Sequence, residues 1–407
     1  MGLDDPQAQI VPGCGPLRAA PLDAPLPLRQ QIYESVRAAG RISRTALARD
    51  LQVSPGSVSP LVSELIGRNL LREVEDPGAP PPSGRGRPPV TLGVEPAAGL
   101  VVGLRLSDDG HTGVVVDMAG RPVASAELPR RGADRSPRAL LDEAAKLTAR
   151  LICDIDATRI LGAGIGLPGL IESGTGRMRW SPILDERDVA LAPLLSDRLG
   201  LPVAIDNDAN VLTMAELWFG RGRSLPDFAV VTIEGGVGMG LVIGHTPWRG
   251  GGGLGMELGH SKVQIDGALC RCGARGCLEA YVADYALVRE AAVALNGPLP
   301  PRGEVLGELD AQARAGNPAA RAIFDRAGRY LALALANVAT LFDPSRIILS
   351  GSRMREDYLY ADAMPAEIAA LSLGAPPPVE INAWDGHVWA RGAAALALDR
   401  ATPKLLG

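Results

Sequence analysis

The chain has 407 residues, of which 46% are hydrophobic, and a formal net charge of −5. This length exceeds what a single hydrophobic core usually supports, so two or three domains are expected. No apolar run approaches the ~20 residues that cross a bilayer, and the acidic, proline-containing N-terminus does not have the form of a secretory signal. These features exclude a membrane-spanning protein, and they predict a cytoplasmic one with no overall attraction to nucleic acid.

The first ordered element is predicted after a tail. Residues 1–27 are rich in Pro, Gly and Ala and show little periodicity, so we expect a mobile N-terminal tail. Leu28, Ile32 and Val36 then recur at the spacing of one buried helix face, and Gly40 is placed to end that helix.

Two further helices and a strand are predicted next. Ser43 and Ser54 are suitable N-caps, and Pro55 suits the first turn of the helix that follows Ser54. The side chains expected to face the core are Leu47, Leu51, Val58, Leu61, Leu65 and Ile66. Residues 70–74 read as a strand. Three helices and a strand over residues 28–75 predict a winged helix-turn-helix DNA-binding domain, and a helical protein-interaction module is the alternative.

The charge of this N-terminal region favours DNA. Nine arginines and six acidic residues lie between residues 28 and 90, so the region is positive on an acidic protein. The second helix of the motif enters the major groove, but its first turns carry serines rather than the Arg, Asn or Gln that read bases in bidentate fashion. Arg44 is a candidate phosphate contact.

Residues 76–92 form a basic Pro/Gly-rich linker. Its Gly-Arg-Gly-Arg-Pro run at 84–88 resembles an AT-hook, in which two arginines enter a narrow minor groove, and a flexible basic linker is the alternative. The predicted DNA contacts are Arg44, Ser54, Ser57, Ser59, Arg85 and Arg87.

Residues 93–407 alternate apolar strands with amphipathic helices, which indicates an α/β body. Strands are predicted at 99–106, 112–117, 160–166, 203–206, 228–233, 238–243 and 347–349, and helices at 137–152, 318–342 and 387–399.

A metal site is predicted within the body. Cys270, Cys272 and Cys277 are spaced C-x-C-x4-C, and His260 lies ten residues before the first of them. Three thiolates and one imidazole make a closed tetrahedral set that suits one structural Zn²⁺ per chain. The alternative is three free buried thiols.

Four motifs occur in the order found in the ROK family of sugar kinases and sugar-responsive repressors, which the chain therefore resembles. They are Gly-Leu-Pro-Gly at 166–169, Asp-Asn-Asp-Ala-Asn at 206–210, Glu-x-Gly-His at 257–260, and Cys-x-Cys-Gly-x-x-Gly-Cys-Leu-Glu at 270–279. The resemblance implies an actin-like ATPase fold of two α/β lobes with a sugar cleft between them. The preceding helix-turn-helix and basic linker resemble the extension carried by the regulators of the family.

The resemblance also implies which residues bind the sugar. Asn207 and Asp208 would bind hydroxyl groups, with Asp208 at the position of the kinase's catalytic base, and Glu257, His260 and Glu279 would contact the other edge of the ring. Without the other motifs, the Asp-Asn-Asp run could equally be a polar turn.

Both phosphate loops depart from the kinase pattern. Arg105 replaces the metal-linked Asp of the first loop, and Ser-Asp-Asp at 107–109 replaces its Gly-Gly-Thr. The second loop has Glu234 where the pattern has Gly-Thr-Gly. Added carboxylates repel a triphosphate, and phosphoryl transfer depends on charge stabilisation, so no catalytic residue is assigned and no enzyme activity is expected.

The sequence therefore predicts a transcriptional regulator, a repressor or less often an activator, that binds operator DNA as a homodimer or homotetramer under the control of a sugar effector. A zinc-containing sugar kinase with an accessory N-terminal domain is the alternative.

Overall fold

A computed structural model of the protein describes residues 13–18, 26–75, 90–130, 134–295, 304–351 and 364–407. The chain divides into two compact units. Unit 1 holds the chain up to Asn207 together with Met214–Leu225 and Trp389–Gly407, and unit 2 holds Asp208–Thr213 and Pro226–Val388. Within the described ranges, no helix is long and apolar enough to cross a membrane.

Unit 1 begins with the N-terminal head. Its helices are α1 (Leu28–Ala39), α2 (Arg44–Asp50) and α3 (Pro55–Gly67), and its strands are β1 (Ile42–Ser43), β2 (Leu71–Val74) and β3 (Thr91–Val94). Gly40 ends α1 with φ 71°, a conformation that glycine adopts without strain. The Ser43 hydroxyl accepts the N–H of Ala46, and the Ser54 hydroxyl accepts the N–H of Ser57. Both predicted caps are confirmed.

The buried face of α3 differs from the prediction, because Val62 is buried where Leu61 and Ile66 were expected. Val58, Val62 and Leu65 are buried, whereas Leu61 and Ile66 are only half-buried. The i, i+4, i+7 spacing of the buried three follows one helix face, and Leu61 lies beside that face rather than on it.

The head is closed by a strand that the sequence analysis did not predict. β3 lies between β1 and β2 and pairs antiparallel with both. Residues 91–94 therefore belong to the head sheet, although the body was expected to begin at residue 93. The linker residues 76–89, including Arg85 and Arg87, lie outside the described ranges and connect β2 to β3 in the sequence.

The rest of unit 1 is built on a five-stranded sheet of order β10-β7-β4-β5-β6. Its strands are β4 (Leu100–Leu106), β5 (His111–Asp117), β6 (Pro122–Leu128), β7 (Ile160–Leu167) and β10 (Val203–Asn207), with the hairpin β8 (Leu170–Glu172) and β9 (Arg177–Trp180) beside them. The helices are α4 (Pro137–Leu151), α5 (Leu191–Leu199), α6 (Asp208–Phe219, shared with unit 2) and α12 (Val388–Leu406). β4, β5 and β6 form an antiparallel meander, and β7 and β10 add to it in parallel.

Helix α12 lies unusually close to this sheet because two strand positions lack a side chain. A Cβ at Gly164 would stand 1.9 Å from the carbonyl oxygen of Ala393, and one at Gly103 would stand 2.1 Å from that of Ala390. Glycine is therefore required at both positions for the helix backbone to approach the strands.

The head is attached to the body through arginines. Arg37 of α1 is 3% exposed; its guanidinium donates to the Thr402 hydroxyl at 2.8 Å and lies 4.4 Å from the ring centroid of Trp218. Arg68 of α3 donates to the last carbonyls of α12, at 2.7 Å from the Leu406 oxygen. Cationic groups at a helix C-terminus are favourable, so this junction is electrostatically matched.

Unit 2 repeats the topology of the unit 1 sheet. Its sheet has the order β13-β12-β11-β14-β15, formed by β11 (Phe228–Ile233), β12 (Val237–Ile243), β13 (Thr246–Trp248), β14 (Ile347–Gly351) and β15 (Val379–Ala383). β11, β12 and β13 form the meander, and β14 and β15 add in parallel. The helices are α7 (Glu279–Val282), α8 (Asp284–Ala294), α9 (Val305–Arg314), α10 (Pro318–Phe342) and α11 (Met364–Leu371). Two sheets of one topology are what the expected two-lobed actin-like body requires.

Candidate functional site

The predicted metal ligands come together in unit 2. One ligand atom from each of His260, Cys270, Cys272 and Cys277 lies within 4.8 Å of the others. The sulfurs of Cys272 and Cys277 are 3.8 Å apart, and His260 Nδ1 is 3.7 Å from the Cys270 sulfur. Zn–S bonds of about 2.3 Å in a tetrahedron place two sulfurs about 3.8 Å apart. The four residues therefore have the spacing that a tetrahedral metal site needs.

The charge around the cluster also suits a metal thiolate. The Lys262 ammonium lies 2.8 Å from the Cys277 sulfur, and this hydrogen bond raises the pKa of Lys262. A divalent ion with three thiolates carries one net negative charge, which an adjacent ammonium compensates. The side-chain chemistry thus fits Zn²⁺ with three thiolates and one imidazole.

Of the three predicted sugar-binding carboxylates, Asp208 and Glu279 lie close enough to Glu257 to raise its pKa. Asp208 is the first residue of α6, Glu257 precedes the short turn that carries His260, and Glu279 is the first residue of α7. Burial, and then the charges of Asp208 and Glu279, raise the pKa of Glu257 to about 7. Near neutral pH this carboxyl can therefore either donate or accept a hydrogen bond, which suits recognition of hydroxyl groups.

Asn207 ends β10, directly before Asp208. Its side-chain amide donates to the Gly169 carbonyl at 2.8 Å within unit 1, so the second motif is tied to the Gly-Leu-Pro-Gly motif. The carboxyl ends of parallel strands, where Asn207 lies, are the usual position of ligand sites in α/β sheets.

In the altered first phosphate loop, backbone and side-chain groups are bonded to other groups of the protein. The backbone N–H of Ser107 donates to Nδ1 of His111 at 3.2 Å, and Nε2 of His111 lies 2.9 Å from the Glu143 carboxylate. Arg105 has its guanidinium 4.5 Å from the Trp389 ring centroid and 3.8 Å from Asp109. In a phosphate-binding loop the backbone N–H groups donate to the phosphate, but here the Ser107 N–H already donates to His111.

The altered second loop is likewise held from within unit 2. The Glu234 N–H donates to the Gly236 carbonyl at 2.9 Å, and the Glu234 carbonyl accepts from the Asp284 N–H at 2.9 Å. Arg271, which lies between two of the predicted metal ligands, donates to the Gly235 carbonyl at 3.3 Å. Arg271 therefore links this loop to the segment that carries the predicted cysteine ligands.

The predicted DNA contacts that fall within the described ranges lie on the head surface. Ser57 and Ser59 are exposed on α3, while the Ser54 hydroxyl is engaged in capping that helix. Arg44 forms a 3.1 Å ion pair with Glu73 of β2, which a phosphate would have to share or displace. Arg85 and Arg87 lie outside the described ranges.

Sequence reasoning missed the residues that support the site. Tyr285, Arg271 and Lys262 surround the metal ligands, and Arg37 and Trp218 form the head junction. Arg271 and Lys262 lie next to the cysteine motif and so carried a positional signal. The others belong to no motif, and only the fold brings them to these positions.

The comparisons with known proteins agree with this geometry. The ROK family description matches residues 101–400. Glucokinase of Streptomyces coelicolor is 32% identical over 65% of this chain and 85% of its own length. The DNA-binding transcriptional dual regulator NagC of Escherichia coli K12 is 26% identical over 84% of this chain and 85% of its own. A solved structure described as a ROK family transcriptional regulator, homolog of E. coli MLC protein, superposes with TM-score 0.76 at 25% identity, covering 93% of this chain and 96% of that one.

The fold and the site thus define a mixed α/β protein with an N-terminal head and a duplicated, actin-like body. The chain belongs to the ROK family. The resemblance and the fold class expected from the sequence are both confirmed.

Proposed function

We propose that this chain is a sugar-responsive transcriptional repressor and not an enzyme. The observation that carries the proposal is the combination, in one ROK chain, of a three-helix head with a body whose phosphate loops are filled by its own residues. The similarity to NagC and to the regulator structure covers 84% and 93% of this chain, which is more than the residues 101–400 of the family description, and this supports the proposal.

In this proposal the effector binds at three carboxylates, one imidazole and one side-chain amide. Asn207, Asp208, Glu257, His260 and Glu279 bind the sugar hydroxyls. Carboxylates and amides form bidentate hydrogen bonds with adjacent hydroxyl groups. Because its pKa is raised, Glu257 can also donate a hydrogen bond. Asp208 acts here as a hydrogen-bond acceptor, in keeping with loops whose groups at Ser107 and Gly235 are bonded within the protein.

His260, Cys270, Cys272 and Cys277 hold one structural zinc ion per chain. When bound, the ion fixes the histidine ring and closes the cysteine loop, because a four-ligand site leaves no open position for substrate. The two ring nitrogens of His260 are distinct, so Nδ1 can face the metal while Nε2 faces the sugar.

The head binds operator DNA through α3 and the arginines of the linker. Ser54, Ser57, Ser59 and Arg44 contact the major groove and its phosphates, and Arg85 and Arg87 enter the minor groove. Helix-turn-helix proteins read paired half-sites, so the working form is a homodimer or a homotetramer. The cytoplasmic location stays a prediction.

The kinase alternative is favoured by one observation, the 32% identity to a glucokinase. It requires a nucleotide at loops in which Ser107 is bonded to His111 and Gly235 to Arg271. The repressor proposal needs no such rearrangement.

The proposal is tested by selecting a DNA site from a random pool and measuring its affinity with glucose, xylose and N-acetylglucosamine. One sugar is expected to raise the melting temperature and to change DNA affinity by about 5-fold or more. Asp208→Ala should remove both effects, and Asp325→Ala, an exposed change on α10 of the same unit, should retain them. ATP-dependent phosphorylation of a sugar would favour the kinase, and DNA binding unaffected by any sugar would contradict the sensor.

The linker arginines are tested on the same DNA site. Arg85→Ala with Arg87→Ala is expected to weaken binding and to reduce the slope of log affinity against log salt by about 2, about one for each positive charge removed from the interface. Loss of preference for A·T-rich flanks should accompany it. The matched control is Arg138→Ala with Arg150→Ala on α4, which makes the same charge change away from the head. Equal effects of the two double variants would reduce the linker to a general charge contribution.

A further inference from the structure

Tyr285, the second residue of α8, lies between the predicted metal ligand Cys270 and the Glu279 carboxylate. Its hydroxyl is 3.4 Å from Oε1 of Glu279 and 3.7 Å from the Cys270 sulfur. Tyr285 belongs to none of the four motifs, and the proposed function assigns it no role.

The ring of Tyr285 is held in turn by Arg271. The Arg271 guanidinium lies 3.9 Å from the ring centroid, and the same group donates to the Gly235 carbonyl. A guanidinium over an aromatic face is favourable and fixes the orientation of both groups. One arginine of the cysteine loop therefore restrains both the tyrosine and the second loop.

Glu279 depends on these contacts for its position. It is 8% exposed, and its other oxygen accepts the Val237 N–H at 3.4 Å. Oε2 thus has a backbone amide as donor, and Oε1 has the tyrosine hydroxyl, with the Cys270 sulfur also 3.5 Å from Oε1. A cysteine that binds a metal does so as a thiolate, which has no proton to donate, so the hydroxyl is then the donor to Oε1. Without the hydroxyl, one oxygen of a buried carboxylate loses its fixed partner, and the side chain gains rotational freedom.

We infer that Tyr285 is a positioning residue that sets the Glu279 carboxylate for the sugar hydroxyl it binds, with Arg271 holding Tyr285 in place. The inference rests on the proposed function, because it gives Glu279 its sugar-binding role. It adds a specificity device: the direction in which Glu279 presents its free lone pairs is fixed by a residue outside the family motifs.

The test compares Tyr285→Phe with the matched control Tyr330→Phe. Tyr330 lies in the same unit and bonds Gln264 through its hydroxyl, so both changes remove one tyrosine hydroxyl near the cysteine loop. Titration calorimetry is run with whichever of glucose, xylose or N-acetylglucosamine binds, and with its monodeoxy analogues. Zinc content and melting temperature are measured on the same samples.

Tyr285→Phe is expected to lower the affinity for the sugar about 10-fold and to leave the zinc content unchanged. One monodeoxy analogue lacks the hydroxyl that Glu279 binds. The affinity for this analogue should differ much less between the wild type and Tyr285→Phe than the affinity for the complete sugar does. The double variant Tyr285→Phe/Glu279→Gln should bind no more weakly than Glu279→Gln alone, because both changes act on one contact. Tyr330→Phe should match the wild type.

Three results would overturn the inference. One is additive losses in the double variant, and another is an equal loss for every analogue. The third is a loss of affinity in Tyr285→Phe that accompanies zinc loss or is matched by Tyr330→Phe. If Glu279→Gln leaves sugar affinity unchanged, the proposed sugar site is wrong, whereas an effect of Glu279→Gln without one of Tyr285→Phe contradicts the positioning role alone.

Discussion

Gly164→Ala is expected to lower the free energy of unfolding by about 3 kcal/mol, the upper part of the range for overpacking, and to lower the melting transition of unit 1 by about 6–12 °C. In most strands this change would be neutral or stabilising, since alanine restricts the unfolded chain. Here the new Cβ would lie 1.9 Å from the Ala393 oxygen and 3.1 Å from the Ala397 nitrogen. Both are backbone atoms of α12, so no side-chain rotation relieves the clash and the whole helix must move.

Gly174→Ala is the matched control, because no atom of its surroundings lies within 4 Å of the added Cβ. Calorimetry of the two variants should show a lowered transition for Gly164→Ala alone. Hydrogen exchange should show faster amide exchange in α12. An unchanged melting temperature for Gly164→Ala would mean that α12 does not lie against β7 at this distance.

The same variant should also loosen the head. α12 carries Thr402, which accepts from Arg37, and the Leu406 carbonyl, which accepts from Arg68. A helix displaced from the sheet moves both acceptors, so the contacts between the head and α12 are weakened. The packing of two glycines against α12 thus contributes to the position of the head.

The local features of this chain could be predicted from its sequence. The caps at Ser43 and Ser54 depend on hydroxyls one turn from their acceptors, and the helix at 318–342 is set by its periodicity. The cysteine cluster was also predictable, because three of its four ligands lie within eight residues. In each case the partners are close in sequence, so the spacing alone constrains the geometry.

The features that were missed depend on distant partners. β3 follows a proline-rich segment and is defined only by pairing with β1 and β2, which lie some twenty to fifty residues earlier. The burial of Arg37 depends on Thr402, which is 365 residues away. Periodicity carries no information about such pairs, and an arginine on a helix is ordinarily expected to be exposed.

The sugar-site residues required the family resemblance, and their roles stay predictions. Asp208, Glu257 and Glu279 are separated by up to 71 positions in the sequence, and their mutual influence on the pKa of Glu257 appears only in the fold. The loss of the phosphate loops was predictable from Arg105 and Glu234. The replacement of the phosphate contacts by His111, Glu143 and Arg271 was not.

Cys277→Ser is expected to release the metal and to lower the melting transition of unit 2 by about 10 °C or more. Cys277 is fully buried, and its sulfur is the atom that Lys262 and Cys272 approach. A serine hydroxyl is a harder ligand than a cysteine sulfur, its C–O bond is shorter than the C–S bond, and it loses its proton less readily than a thiol. It therefore replaces sulfur poorly at a zinc site. Zinc measured by mass spectrometry of the metal should fall from about one per chain to a trace.

Loss of the ion should lower the affinity for the sugar for two reasons. His260 loses the bond that fixes its ring, and Cys270 no longer anchors the loop whose Arg271 holds Tyr285 over Glu279. Sugar affinity should therefore fall together with zinc, while Cys153→Ser, which changes an exposed thiol in unit 1, should alter neither. A variant that loses zinc and still binds the sugar with wild-type affinity would separate the metal from the effector site. One that keeps its zinc would remove Cys277 from the ligand set, since three remaining protein ligands hold structural zinc weakly compared with four.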